Sequence, residues 1–279
     1  MQIDEKVFGQ DHLSVARDTS NLGGVLEELG ELQEARKCIE RALQIDEKVY
    51  GPGHPKTAIR INNLGVILQD LSELQEARKC FERALQIHEK VYGRDHPEVA
   101  KNVNNLGLVL KDLGEFQEAR KYVERALQID EKVYGPDHPN VARDANNLGG
   151  VLKELGELLE ARKFYERALQ IDEKVFGQDH LSVARDTSNL GLLLLEIGES
   201  QEARECIERA LQIDEKVYGP DHPNVARDAN NLGGVLNALG EQQEARMCFE
   251  RTIRICRQKF GEDHQKTNLV KRNLELLDP

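Results

Sequence analysis

HPEVAKNVNNLGLVLKDLGEFQEARKYVERALQIDEKVYGPD, residues 96–137, is the stretch whose reading decides the fold. Pro97 suits a first helical position, where its missing N–H would have no intrahelical partner. Asp95-His96 ahead of it offers side chains that cap a helix N-terminus. Val99, Val103, Leu106, Val109, Leu110 and Leu113 then recur at spacings of three and four, the pattern of a buried helical stripe. Gly114-Glu115 ends this helix, since Gly enters the left-handed conformation without a Cβ penalty. A second helix is predicted from about Phe116 to Tyr134. Its stripe is Phe116, Ala119, Tyr122 or Val123, Ala126, Leu127, Ile129 and Val133. Gly135-Pro136-Asp137 breaks the chain before the next His.

Working outward, the same pattern recurs every 42 residues without a slip. His12, His54, His96, His138, His180, His222 and His264 keep that spacing, as do Ala35, Ala77, Ala119, Ala161, Ala203 and Ala245. The complete units are 12–53, 54–95, 96–137, 138–179, 180–221 and 222–263. Residues 1–11 read as the end of a preceding repeat and 264–279 as a C-terminal capping helix, all within one solenoid over 1–279. A lone helix pair cannot bury its apolar face, so neighbours must stack. Gly107 costs about 1 kcal/mol against Ala inside a helix. Its recurrence at 23, 65, 149, 191 and 233 predicts close packing within each pair. QIDEKVFGQDHLSVARDTSNLG occurs from Gln2 and again from Gln170, as recent duplication or deliberate consensus engineering would leave it.

Composition narrows the function. The net charge of −12 argues against general nucleic-acid binding, which needs a basic surface. No run approaches the ~20 apolar residues that span a bilayer, and no signal peptide opens the chain. Cys38, Cys80, Cys206 and Cys248 share one register position, and neighbouring repeats stand ~10 Å apart, beyond disulfide reach. Buried, reduced thiols are expected, which suits a cytoplasmic location.

Leu106-Gly107, the turn Gly114, Ala119 and Ala126 resemble the tetratricopeptide repeat. Their 42-residue register is similar to the long variety of kinesin light chains, nephrocystin-like proteins and bacterial multidomain proteins. The resemblance covers the whole chain. Departures are small: Ser72 replaces the turn Gly, while Leu13, Leu181 and Gln265 replace the helix-starting Pro. The resemblance implies an all-α, right-handed superhelical solenoid whose first helices line a concave groove holding peptides or partner proteins.

Two polar ladders are the candidate peptide-binding residues. Asn21, Asn63, Asn105, Asn147, Asn189, Asn231 and Asn273 hold one position in every first helix, often after a second Asn at 62, 104, 146 or 230. By resemblance this ladder faces the groove and hydrogen-bonds a ligand backbone, a task to which an amide that both donates and accepts is suited. The alternative is structural, with the amides linking adjacent first helices. Four residues earlier stand Arg17, Lys101, Arg143, Arg185 and Arg227, with Ile59 as the exception, on the same helix face. They either receive acidic groups of a ligand or pair with nearby Asp18, Asp144, Asp186 and Asp228.

Catalysis is not expected. The His ladder places one imidazole per repeat, too far apart for a shared metal, and reads as helix caps. His88 stands where other units carry Asp and reads as solvated. The Gly pairs at 23–24, 149–150 and 233–234 lie inside helices rather than in phosphate loops. The expectation is a non-catalytic scaffold with no cofactor and no metal. It binds a protein or peptide ligand, favouring acidic or extended peptides. Nucleic acid and membrane insertion are excluded. Two other readings stand beside it: a regulatory or sensor segment of a larger signalling protein, and an array that self-associates through its terminal repeat faces.

Overall fold

The structure is a computed structural model that describes residues 9–277. The expectations for Met1–Phe8 and for Asp278-Pro279 fall outside the described residues. Among these the chain forms thirteen α-helices and no strand, the all-α solenoid expected. Contacts divide it into two compact units, 1–136 and 137–279.

In the first unit the helices are α1 (Leu13–Glu28), α2 (Leu32–Tyr50), α3 (Pro55–Asp70), α4 (Leu74–Tyr92), α5 (Pro97–Asp112) and α6 (Phe116–Tyr134). In the second they are α7 (Pro139–Glu154), α8 (Leu158–Phe176), α9 (Leu181–Ile197), α10 (Ser200–Tyr218), α11 (Pro223–Ala238), α12 (Gln242–Phe260) and α13 (Gln265–Glu275). Each first helix packs along the second helix of its own repeat, and each second helix packs on the next first helix of its unit. Neighbouring first helices also touch directly, α3 with α5 and α9 with α11.

The repeated His explains the start of every first helix, whereas the second helices start at a Glu that makes no side-chain cap. Each His is the N-cap, and its Nδ1 accepts the backbone N–H two residues on, as from Glu98 to His96 at 3.2 Å and from Asn224 to His222 at 3.2 Å. The ring also stacks on the aromatic residue that ends the preceding helix. Tyr92–His96 and Tyr218–His222 have centroids 4.2 and 4.0 Å apart. One side chain thus ties the end of a repeat to the start of the next. Asp95 takes no part in the cap; it pairs with Lys132.

Gly114 ends α5 at φ +78°, and the N–H of Glu115 reaches back to the Leu110 carbonyl at 2.9 Å. Ser72 makes the same turn at φ +62°, so the repeat enforces a left-handed residue even where the sequence supplies a Cβ.

The core lies between the helices of a pair and between successive repeats. Ala119 and Ala126 are fully buried, as expected. Gly107 is a socket: a Cβ there would lie 2.5 Å from Val123 Cγ2. Gly65 and Gly233 receive the rings of Phe81 and Phe249 in the same way, with 2.6 Å to the nearest ring carbon. The predicted stripe of α6 needs one correction. Val133 is 41% exposed and Asp130 is buried instead. The last turns of this helix hold a polar residue inside, which apolar periodicity does not report. The cysteines need another: Cys38, Cys80, Cys206 and Cys248 are half-buried, and only Cys256 is buried; all five are free.

Candidate functional site

The site is built from the first helices, whose register brings three positions together: the Arg/Lys ladder, the residue after it, and the Asn ladder. Asn105 donates from Nδ2 to Asn62 Oδ1 at 2.9 Å, Asn189 to Asn146 Oδ1 at 2.9 Å, and Asn273 to Asn230 Oδ1 at 3.0 Å. In α11, Asn231 reaches Ser188 Oγ at 3.5 Å. The ladder amides therefore link adjacent first helices. Asn63, Asn105, Asn147, Asn189, Asn231 and Asn273 are half-buried and Asn21 is exposed, while Asn62 and Asn146 lie deeper. One amide hydrogen is committed to the stack, which leaves a second N–H and the carbonyl oxygen.

The cationic ladder is engaged as well. Arg17, Arg143, Arg185 and Arg227 each pair with the aspartate that follows them. Those aspartates are not surface groups in the second unit: Asp144, Asp186 and Asp228 are fully buried. Lys101 is exposed.

What the sequence reading missed is the partner across each repeat step, 14 residues earlier on the second helix. In the first unit Arg60 donates from Nε to Asp46 Oδ2 at 2.9 Å and from Nη1 to Ser20 Oγ at 2.6 Å. At the next step His88 is not solvated but 1% exposed. Its Nδ1 lies 2.6 Å from Asn102 Oδ1 and its Nε2 3.2 Å from the Pro55 carbonyl. Asp at this position in other units suggests a solvated side chain. The packed residue 14 places on decides otherwise.

In the second unit the same step holds two acids. Asp172 and Asp186 are 2% and 0% exposed, and Arg185 donates to both, at 3.2 Å and 2.8 Å. Asp214 and Asp228 repeat this, 2% and 0% exposed, with Arg227 donating to both and Ser188 Oγ donating to Asp228 Oδ1 at 3.1 Å. Burial pushes Asp186 up to about 7 against the pull of Arg185. Burial, reinforced by the charge of Asp228, pushes Asp214 up to about 6. The signal was in the sequence: the 42-residue register pairs Asp46 with Arg60, His88 with Asn102, Asp172 with Asp186, Asp214 with Asp228, and Cys256 with Val270.

Two open cavities occupy one register position, one in each unit. The first, about 380 Å³, is lined by Arg17, Asp46, Tyr50, Lys56, Ile59 and Arg60 among α1–α3. The second, about 420 Å³, is lined by Arg227, Cys256, Phe260, Lys266, Leu269 and Val270 among α11–α13. Ile59 and Leu269 stand where the intervening repeats carry Lys101, Arg143, Arg185 and Arg227. In each cavity a lysine lies over the aromatic ring, Lys56 at 4.8 Å from Tyr50 and Lys266 at 5.0 Å from Phe260. Burial raises the thiol pKa values of Cys80, Cys206 and Cys248, which makes poor nucleophiles of them. Among the described residues no three His, Cys, Asp or Glu side chains are grouped to hold a metal, and no helix is long and apolar enough to cross a membrane.

Comparison with known proteins agrees with this architecture. Solved structures of similar fold include BtubC (BKLC) from P. vanneervenii, 24% identical with a TM-score of 0.67 over 80% of this chain and 90% of that one. A protein with nearly identical TPR-like repeats from Podosopora anserina, described as a kinesin light chain, is 24% identical with a TM-score of 0.62 over 74% of this chain and 98% of that one. A Rap protein complexed with competence and sporulation factor is 15% identical with a TM-score of 0.67, over 93% and 73% of the two chains. Comparison with curated proteins returns no match. Models described as Tetratricopeptide repeat match residues 14–71, 98–174, 144–216 and 187–258, and another matches 57–98. The helix pairs, the His-capped junctions and these matches agree over nearly the whole length, and the chain belongs to the tetratricopeptide repeat family.

Proposed function

We propose that this chain is a non-catalytic scaffold that holds a protein or peptide partner against its first helices, with acidic or extended peptides favoured. The observation that carries the reading is the half-buried ladder amides of Asn105, Asn189, Asn231 and Asn273. Each is held by the preceding first helix and retains hydrogen-bonding capacity, as a surface for a peptide backbone requires. Acid preference draws on cations that no buried carboxylate claims: Lys101 on α5 and Lys56 over the first cavity. The complex of the Rap protein with its factor is in keeping with such use of the fold. Fluorescence anisotropy with labelled hexaglutamate, hexalysine and a neutral Ser/Gly hexamer at low salt tests the reading. Lys56→Glu plus Lys101→Glu is expected to weaken hexaglutamate at least about tenfold, a change of roughly 1.4 kcal/mol, with an unchanged melting temperature. Equal binding of all three peptides, or an unaffected double variant, overturns the acid preference.

One observation favours self-association as a second reading. Val25 on α1 is 52% exposed, whereas Ile67, Val109, Val151 and Val235 at its register position are fully buried. Light scattering across a range of concentrations, with Val25→Lys as control, decides it.

A further inference from the structure

Two buried carboxyls facing each other cannot both ionise at neutral pH unless something neutralises the second charge. In the second unit the groups around the Asp172–Asp186 pair are Arg185 from α9, His180 and Ser182 at the α9 N-terminus beside Asp172, and Tyr165 from α8. Around Asp214–Asp228 they are Arg227 from α11 and Ser188 from α9. One guanidinium thus serves two acids at each step. Moreover Asp172 Oδ1, Asp186 Oδ2 and Asp228 Oδ2 are buried oxygens with no donor. An acceptor left that way is costly, and a carboxylic acid proton on its partner supplies the missing donor.

We propose that each pair, Asp172–Asp186 and Asp214–Asp228, holds one shared proton at neutral pH, as an acid–carboxylate hydrogen bond that joins a second helix to the next first helix. With the proton, each trio of two aspartates and one arginine is neutral. Without it the trio carries −1, and two like charges sit buried across a repeat step. The pairs therefore do two things. They make the stacking of α8 on α9 and of α10 on α11 weaken as pH rises. They also make the first-helix face of this unit more negative by two charges, which disfavours an acidic ligand there. The second consequence rests on the groove reading above; the first does not.

The sign follows from linkage. The folded-state values of about 7 for Asp186 and about 6 for Asp214 lie above the ordinary carboxylate range. The folded chain binds more protons than the unfolded one between about pH 4 and those values. This stabilisation is fully present below the unfolded value and is lost as pH rises through about 6 to 7. Folding at pH 5.5 is expected to take up about two protons that the variant Asp186→Asn plus Asp228→Asn does not take up, one per pair. Asn at these positions has a precedent in Asn102, and His180 is retained in both chains.

The experiment is urea unfolding from pH 5 to 8.5 for both chains, together with ¹³C-carboxyl NMR of the wild type. The urea midpoint of the wild type is expected to fall across this range more steeply than that of the variant. One carboxyl of each pair is expected to titrate near neutrality. Equal slopes in both chains, or four carboxyls that all titrate below pH 5, overturn the shared proton. Hexaglutamate binding at pH 6 and 8.5 tests the ligand coupling separately, with weakening at high pH expected only in the wild type. Binding at neither pH refutes the acid preference of the groove and leaves the urea and NMR results to judge the proton. Equal weakening in both chains refutes the coupling alone.

Discussion

The first and second units solve one packing problem with different chemistry. At the step between a second helix and the next first helix, the first unit uses an ion pair, Asp46–Arg60, and an imidazole–amide contact, His88–Asn102. The second unit uses Asp172–Asp186 and Asp214–Asp228, each sharing one arginine. The backbone register is the same in all four. The stack therefore demands that buried donors and acceptors be matched, and it accepts several ways of matching them.

The sharpest way to break the comparison is Arg60→Met. It breaks the Asp46–Arg60 ion pair of the first unit and leaves Asp46, 3% exposed, without that cation. A loss of about 3 kcal/mol is expected, at the low end because the Arg60 side chain retains 20% exposure. Urea unfolding measures it. Adding Asp46→Asn should recover much of the loss, since the uncompensated charge is then gone. No recovery would mean that the cost lies in packing.

His88→Ala should cost about 2 kcal/mol. It leaves Asn102 Oδ1 and the Pro55 carbonyl without their contact and opens a void where a 1% exposed ring stood. Thermal melts of His88→Ala and of His88→Asp, the residue other repeats carry, should separate lost volume from lost hydrogen bonding.

The smallest effect compares what the units share. Gly65→Ala and Gly233→Ala would push a methyl to 2.6 Å from the Phe81 and Phe249 rings. Overpacking should outweigh the ~1 kcal/mol gained in helix propensity, for a net loss of about 1 kcal/mol in either unit. Gly24→Ala and Gly234→Ala meet nothing within 4 Å and should instead stabilise by up to about 1 kcal/mol, read as a raised melting temperature.

Much of the molecule was legible in the chain alone. The helix pairs, their ends at Pro97, Gly114, Phe116 and Tyr134, and the His caps follow from local rules: periodicity, capping and the glycine conformation. Such rules act within a few residues, so one sequence displays them. The site was legible in part. The Asn and Arg/Lys ladders were visible as repeats, and the structural alternative for each was in view. That Asn105 reaches Asn62, 43 positions away, and that Arg185 is tied to buried acids depended on the neighbouring repeat.

By itself, then, the sequence determined the period, the helix pairs and which side chains recur along each first helix, because these depend on contacts a few residues apart. Only the tertiary structure decided which of those side chains are buried. His88 and Asp130 look like solvated members of a charged helix face, and both lie inside. The physical reason is that a repeat has two apolar faces to cover but only one residue pair at each step to choose how the polar groups beneath are satisfied. That choice is made across helices, 14 positions apart, where local periodicity carries no signal.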